Sequence, residues 1–238
     1  MTRKSVCVAI GLLAFSTLPA TVGNAQQQSV GQTAQRSYVA GDVYLASSRV
    51  YALVGKTGFG HEHGVAGALK SGRILLGASK DAGELVFDMT SFTADTDAAR
   101  AKVGLEGKSS ESTQQQVTAN MLGKDVLNVA KYPTAVFKID SAVALPARAA
   151  NESPRYQLSG SFTLQKATRP LSVVAEVRDA NGWKLVQGAF RLKQTDYGIT
   201  PFTKAFGAIG VADEMTVWGE FWVTPGGGVV RQAARTAR

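Results

Sequence analysis

Tyr156-Gln-Leu-Ser-Gly-Ser-Phe-Thr-Leu-Gln-Lys166 decides the fold. Tyr156, Leu158, Gly160, Phe162 and Leu164 fall on one side of an extended chain, and Gln157, Ser159, Ser161, Thr163 and Gln165 on the other. Successive side chains of a strand point to opposite faces, so this segment is a strand buried on one face and wet on the other. The same period recurs outward from it. Leu85, Phe87 and Met89 alternate with Glu84, Val86 and Asp88, and Ala135, Phe137 and Ile139 alternate with Val136, Lys138 and Asp140. Arg49 to Thr57, Val65 to Leu76, Pro170 to Arg178, Trp183 to Lys193 and Met215 to Thr224 also read as strands. Asn181-Gly182 marks a hairpin, and Gly188 within a strand predicts a bulge or bend. One helix is expected, capped by Ser109 or Ser110, with Glu111 in its first turn and Gly123 closing it. Its Val117 and Met121 would face the body.

About eight antiparallel strands and one short helix define an all-β domain, whose edges a closed barrel or a sandwich would remove. The chain has 238 residues, 45% of them hydrophobic and 18% charged, which excludes a disordered or collagen-like chain. Its formal charge of +8 is spread thinly, so no nucleic-acid partner is expected. The oligomeric state is open at this level.

The N-terminus has the layout of a secretory signal. Arg3 and Lys4 precede an apolar run, Val6 to Phe15, which Leu18-Pro19 breaks before Gly23-Asn24-Ala25. The run is shorter than the roughly 20 apolar residues a membrane helix needs. Cleavage is expected between Ala25 and Gln26, with residues 1–25 as the signal peptide. It would remove Cys7, the only cysteine, leaving no disulfide and no thiolate metal ligand. Export to the periplasm, or otherwise secretion, follows. Residues 26–37 are expected to form a disordered leader, 38–224 the folded domain and 225–238 a flexible Gly- and Arg-rich tail. That tail reads as a solvated end rather than a surface for transient membrane contact.

Several segments, in order, resemble the YceI-like family. They are Asn128-Val-Ala-Lys-Tyr-Pro-Thr-Ala-Val-Phe-Lys138, Tyr156 to Leu164, Lys166 to Leu171, Asp196-Tyr-Gly-Ile199 and Val211-Ala-Asp213. Gly58-Phe-Gly-His61 to Gly67 lies where that family has an early His-bearing strand. The resemblance runs from about residue 48 to residue 224. It implies an eight-stranded, lipocalin-like antiparallel barrel holding a long isoprenoid chain, in an exported protein that is not an enzyme.

His61-Glu62-His63 contains the only two histidines. On a regular strand the two imidazoles would share a face and could chelate one transition metal, with a carboxylate, a substrate or a second chain completing the set. A metal-binding protein, or a metal-dependent enzyme, using His61 and His63 is therefore the rival reading. The alternative for the pair is one hydrogen-bonded, barrel-lining or rim histidine and one solvent-facing histidine. No catalytic residues are assignable: there is no G-x-S-x-G elbow, and Gly226-Gly-Gly228 follows no strand within the domain. Asp95, Thr96 and Asp97 are accounted for by an Asx turn. Trp183, Trp218 and Trp222 read as sheet-packing residues more readily than as stacking platforms.

Pattern alone leaves a filled core and a ligand cavity equally open, because Gly160, Gly188 and Gly219 offer space beside bulky phenylalanines. The resemblance favours a cavity. Phe87, Phe137, Ile139, Leu158, Phe162 and Leu164 are its candidate lining, and an isoprenoid-like lipid or quinone is the expected ligand in place of any cofactor.

Overall fold

The computed structural model describes residues 37–226 and the backbone of residues 230 and 231. The segments read as signal and leader, through residue 36, lie outside the described residues, as do residues 227–229 and the segment after residue 231 that was read as tail. No helix among the described residues is long and apolar enough to cross a membrane.

Eight long strands follow one another, each antiparallel to the next: β1 (Arg49–Gly58), β2 (His63–Ile74), β3 (Gly83–Ala94), β4 (Thr134–Ala144), β5 (Arg155–Leu164), β6 (Ala167–Ala180), β7 (Trp183–Lys193) and β8 (Ile209–Val223). β8 pairs back onto β1, from Ile209 opposite Gly58 to Glu220 opposite Arg49. The sheet thus closes into the expected barrel, and neither β1 nor β8 is left as a free edge. Each predicted strand is present, and the stripes read from the sequence point inward. Leu85, Phe87, Met89, Ala135, Phe137, Ile139, Leu158, Phe162 and Leu164 are all buried.

Two points of the strand reading need correction. Gly188 makes no bulge: it keeps register opposite Gly219 on β8, and opposite Ala175 it forms the last pair of the β6–β7 ladder. What requires its lack of a side chain is close packing, since a Cβ there would lie 2.9 Å from Val173 Cγ1. Gly160 does not open interior space. A Cβ on it would fall 2.0 Å from the Lys138 carbonyl oxygen, across from the register shift between Ile139 and Ser141. That shift moves the buried β4 position from Ile139 to Ala142, which simple alternation could not foresee.

A third correction concerns helices. There are two among the described residues, α1 (Asp97–Lys102) and α2 (Glu111–Leu122), where one was expected. The missed helix arises because Thr96, read as part of a turn, accepts a hydrogen bond from the Ala99 N–H and caps α1. α2 begins and ends as expected, with Ser110 accepting from the Thr113 N–H and Gly123 at its C-terminus. Both helices lie between β3 and β4, at the end of the barrel that also holds the β1–β2 and β7–β8 connections.

The opposite end is plugged. Val43 pairs with Val223, and its N–H donates to the Gly72 carbonyl at 3.0 Å. Tyr38 and Tyr44 pack against Trp183 with ring centroids 5.1 and 5.2 Å away. Ser37 and Tyr38 also pair with Arg231 and Val230, so the ordered strands reach into both the segment read as leader and the segment read as tail. Trp183 is a packing residue here; Trp218 and Trp222 alternate with the inward Val217, Gly219 and Phe221 of β8.

The wall is split at one place. β6 and β7 pair from Ala180 opposite Trp183 to Ala175 opposite Gly188, and beyond that point the ladder between them ends. Thr168–Val174 keeps its partner only on β5, and Ala189–Lys193 only on β8. At the far end of the split the Arg169 guanidinium donates to the Asp196 carbonyl at 3.0 Å. Amides in half-paired strands open more readily than those in a full ladder. Hydrogen exchange should therefore be faster in 168–174 and 189–193 than in 175–188, as read by peptide-resolved mass spectrometry. Uniform protection along β6 and β7 would contradict the split.

Candidate functional site

Between the plug and the helical end lies a cavity of about 230 Å³. For scale, an engineered apolar cavity of roughly 150 Å³ stays dry and holds a benzene ring. Phe87, Phe137, Leu158, Phe162 and Leu164 line it. Ile139 does not. It is fully buried opposite Gly83 and Gly160, in the core toward the plugged end with Ile74, Ala82 and Ala142. Alternation placed Ile139 on the inward face, but inward at that depth means filled core.

The cavity roof comes from outside the sheet, which is why strand patterning missed it. Val117 and Met121 of α2 pack against Ala52, Val65 and Ala94. The Thr118 hydroxyl accepts from the Ala94 N–H at 2.9 Å and fixes α2 to the end of β3. Val126 and Leu127 extend the roof, and the Gln165 side chain donates to the Val126 carbonyl at 2.6 Å. The signal available in the sequence was the apolar pair Val117 and Met121, four residues apart on an otherwise polar helix.

Phe162 sits at the centre of the aromatic wall, with ring centroids of Phe87, Phe190 and Tyr197 at 6.1, 6.1 and 5.7 Å. Leu171 and Val173 on β6 and Phe190 and Leu192 on β7 flank the split and also line the cavity. Of all the lining residues only His63, Asn120 and Gln194 carry polar side chains, and none is a lysine, arginine or carboxylate. Gln194 donates to the Ala212 carbonyl at 2.8 Å. Such a surface discriminates by shape and hydrophobicity.

The two histidines are not a pair on one strand. β2 starts at His63; His61 precedes it in the connection and is exposed. His63 lines the cavity, and its Nδ1 lies 2.6 Å from Asp95 Oδ2. Among the described residues no group of three or more His, Cys, Asp or Glu side chains is placed to hold a metal ion. The arrangement is that of one hydrogen-bonded lining histidine and one solvent-facing one.

Asp95 is the residue sequence reasoning undervalued. It is 1% exposed, with backbone φ of 58°. Its Oδ1 accepts from the Gly64 N–H at 3.0 Å and from Arg100 Nη1 at 3.3 Å. Arg100 also donates to the Glu106 and Gly107 carbonyls. One carboxylate thus ties the start of β2, the end of β3 and helix α1 together. Burial alone would push its pKa up; the His63 hydrogen bond and charge, the Gly64 N–H and the Arg100 charge outweigh burial and hold it below the ordinary value.

The chain matches the YceI-like domain over residues 46–221. It belongs to the YceI-like family. That match spans all of β1 to β7 and β8 as far as Phe221, together with both helices and the cavity roof. Among solved structures, BcnA of Burkholderia cenocepacia is similar at 18% identity, covering 77% of this chain and all of that one, with a TM-score of 0.48. A YceI protein of Campylobacter jejuni is similar at 10% identity, covering 93% of this chain and 99% of that one, with a TM-score of 0.40. No curated protein matches at a significant level. YceI-like barrels are binding proteins for hydrophobic ligands.

A carboxylate with a lowered folded pKa stabilises the fold above its unfolded value of about 4, and that contribution is lost as pH falls through the folded value. Asp95→Asn should cost about 3 kcal/mol at neutral pH, as removal of one member of a buried charged group does. It should also shrink the loss of stability on the acid side. Urea unfolding from neutral to acid pH checks both, and an unchanged acid limb in the variant would contradict this role.

Proposed function

We propose that the protein holds one hydrophobic, isoprenoid-like lipid or quinone in the barrel interior and carries or sequesters it in an exported compartment, without making or breaking bonds. The observation that supports this reading is the apolar cavity walled by β-strands and roofed by α2. Burying a hydrocarbon chain there gains roughly 25 cal/mol per Å² removed from water, and no catalytic group is needed. Export rests on the layout of residues 1–25, and the periplasm is the compartment proposed first.

Carriage is favoured over sequestration by two aromatic side chains at the helical end. Phe59 is 85% exposed and Phe206 fully exposed. Their loops are joined where the Phe59 N–H donates to the Ala208 carbonyl at 2.9 Å. Lys56, near the end of β1, and Lys204, in the β7–β8 connection, are exposed as well. Exposed aromatics beside lysines suit contact with a lipid surface, where an apolar chain could be exchanged.

Phe162→Ala on delipidated protein should lower unfolding free energy by about 2 kcal/mol, less than the roughly 3–5 kcal/mol of a fully packed aromatic. It should shift binding toward longer or bulkier chains, as read by fluorescent-lipid displacement with a series of chain lengths. A wild type that binds no chain, with a variant that only loses stability, would overturn the lipid reading. For carriage, Phe59→Ser with Phe206→Ser should slow transfer between vesicles several-fold and leave equilibrium binding unchanged. Unchanged transfer would favour sequestration.

A further inference from the structure

We infer that His63 forms a head-group subsite inside the barrel that accepts a hydrogen bond from a neutral hydroxyl, so that the preferred ligand is an alcohol- or hydroquinone-headed lipid rather than a diphosphate. This rests on the proposed lipid-binding function and adds the chemistry of the ligand's polar end.

The argument starts from charge. Asp95 is buried, and Arg100 already stands against it as a counter-ion at 3.3 Å. Carboxylate and guanidinium balance, and Arg100 is spent further on two loop carbonyls. Taken as the neutral imidazole, His63 completes the group without adding net charge. With Nδ1 2.6 Å from the carboxylate oxygen, the ring proton belongs on Nδ1, donated to Asp95. Nε2 is then an unprotonated acceptor, and no partner occupies it among the described residues.

The position of that acceptor matters. His63 belongs to the cavity wall, at the end roofed by α2, where Asn120 supplies the only other polar side chain of the roof. Everything between this end and the plug is apolar apart from Gln194, whose amide is already used. A chain lying in the barrel would therefore meet its one committed acceptor at the helical end. A hydroxyl can donate to Nε2, whereas an ether can only accept and a hydrocarbon can do neither. A diphosphate would bring negative charge to a wall with no lysine or arginine and next to a buried carboxylate, which is unfavourable.

The experiment uses delipidated full-length mature protein at about pH 8. Affinities are measured for four probes of equal chain length: all-trans farnesol, its methyl ether, the parent hydrocarbon and farnesyl diphosphate. Farnesol should bind about tenfold tighter than the ether, the order expected for one buried hydrogen bond. The diphosphate should bind more weakly than farnesol. In His63→Phe the alcohol-to-ether ratio should fall to near one while hydrocarbon binding persists. Equal binding of alcohol and ether by the wild type overturns the subsite, and that comparison needs no variant to fold. A preference that survives in His63→Phe, or tighter binding of the diphosphate, overturns it as well. If all four probes bind alike, only the subsite fails; if none binds, the lipid-binding reading fails with it.

Discussion

The pairing of β8 with β1 is the constraint on which the rest depends. It turns an eight-stranded sheet into a wall with an inside and an outside, so that alternation along every strand sorts side chains between lumen and solvent. An interior bounded by eight strands is wide enough for side chains to fill or for one small ligand to occupy. Here both occur, at different depths. Val43, Ile74, Ala82, Ile139, Ala142 and Val223 fill the plugged end. Toward the helices the wall residues stop short of one another and leave space.

The helical end is not simply an opening. α2 lies over it through Val117 and Met121, and Asp95 pins the base of this arrangement by joining two strands to α1. The same carboxylate orients His63, so the group that holds the rim together also sets which ring nitrogen faces the lumen. Stability and ligand chemistry are thereby coupled at one residue. The split between β6 and β7 adds a second feature with a consequence for binding. Four apolar side chains flank it, and they belong to the cavity wall rather than to a sealed ladder.

Strand number, order of elements and inward stripes were legible in the sequence because period-two alternation is a local property, and the Phe87, Phe137 and Phe162 faces obey it. Helix α2 was legible for the same reason, through Ser110, Glu111 and Gly123 at its ends. What escaped depends on relations between distant segments. Ile139 carries the right alternation at a depth where the barrel is filled. Gly160 answers to a neighbouring strand rather than to the cavity, and Gly188 both packs against Val173 and borders the cavity. Asp95 and Thr96 looked like turn residues, and only the partners 32 residues back and 5 ahead show the carboxylate as a buried junction. His61 and His63 suggested a shared face, but the strand begins only at His63.

The most direct test of the central claim is native mass spectrometry of the protein purified without detergent or added lipid. The account expects a mass above that of the bare chain by one neutral lipid per barrel, removed by organic extraction and restored by adding the extract back. A bare-chain mass throughout, from protein that is folded and fails to take up the extract, would contradict it.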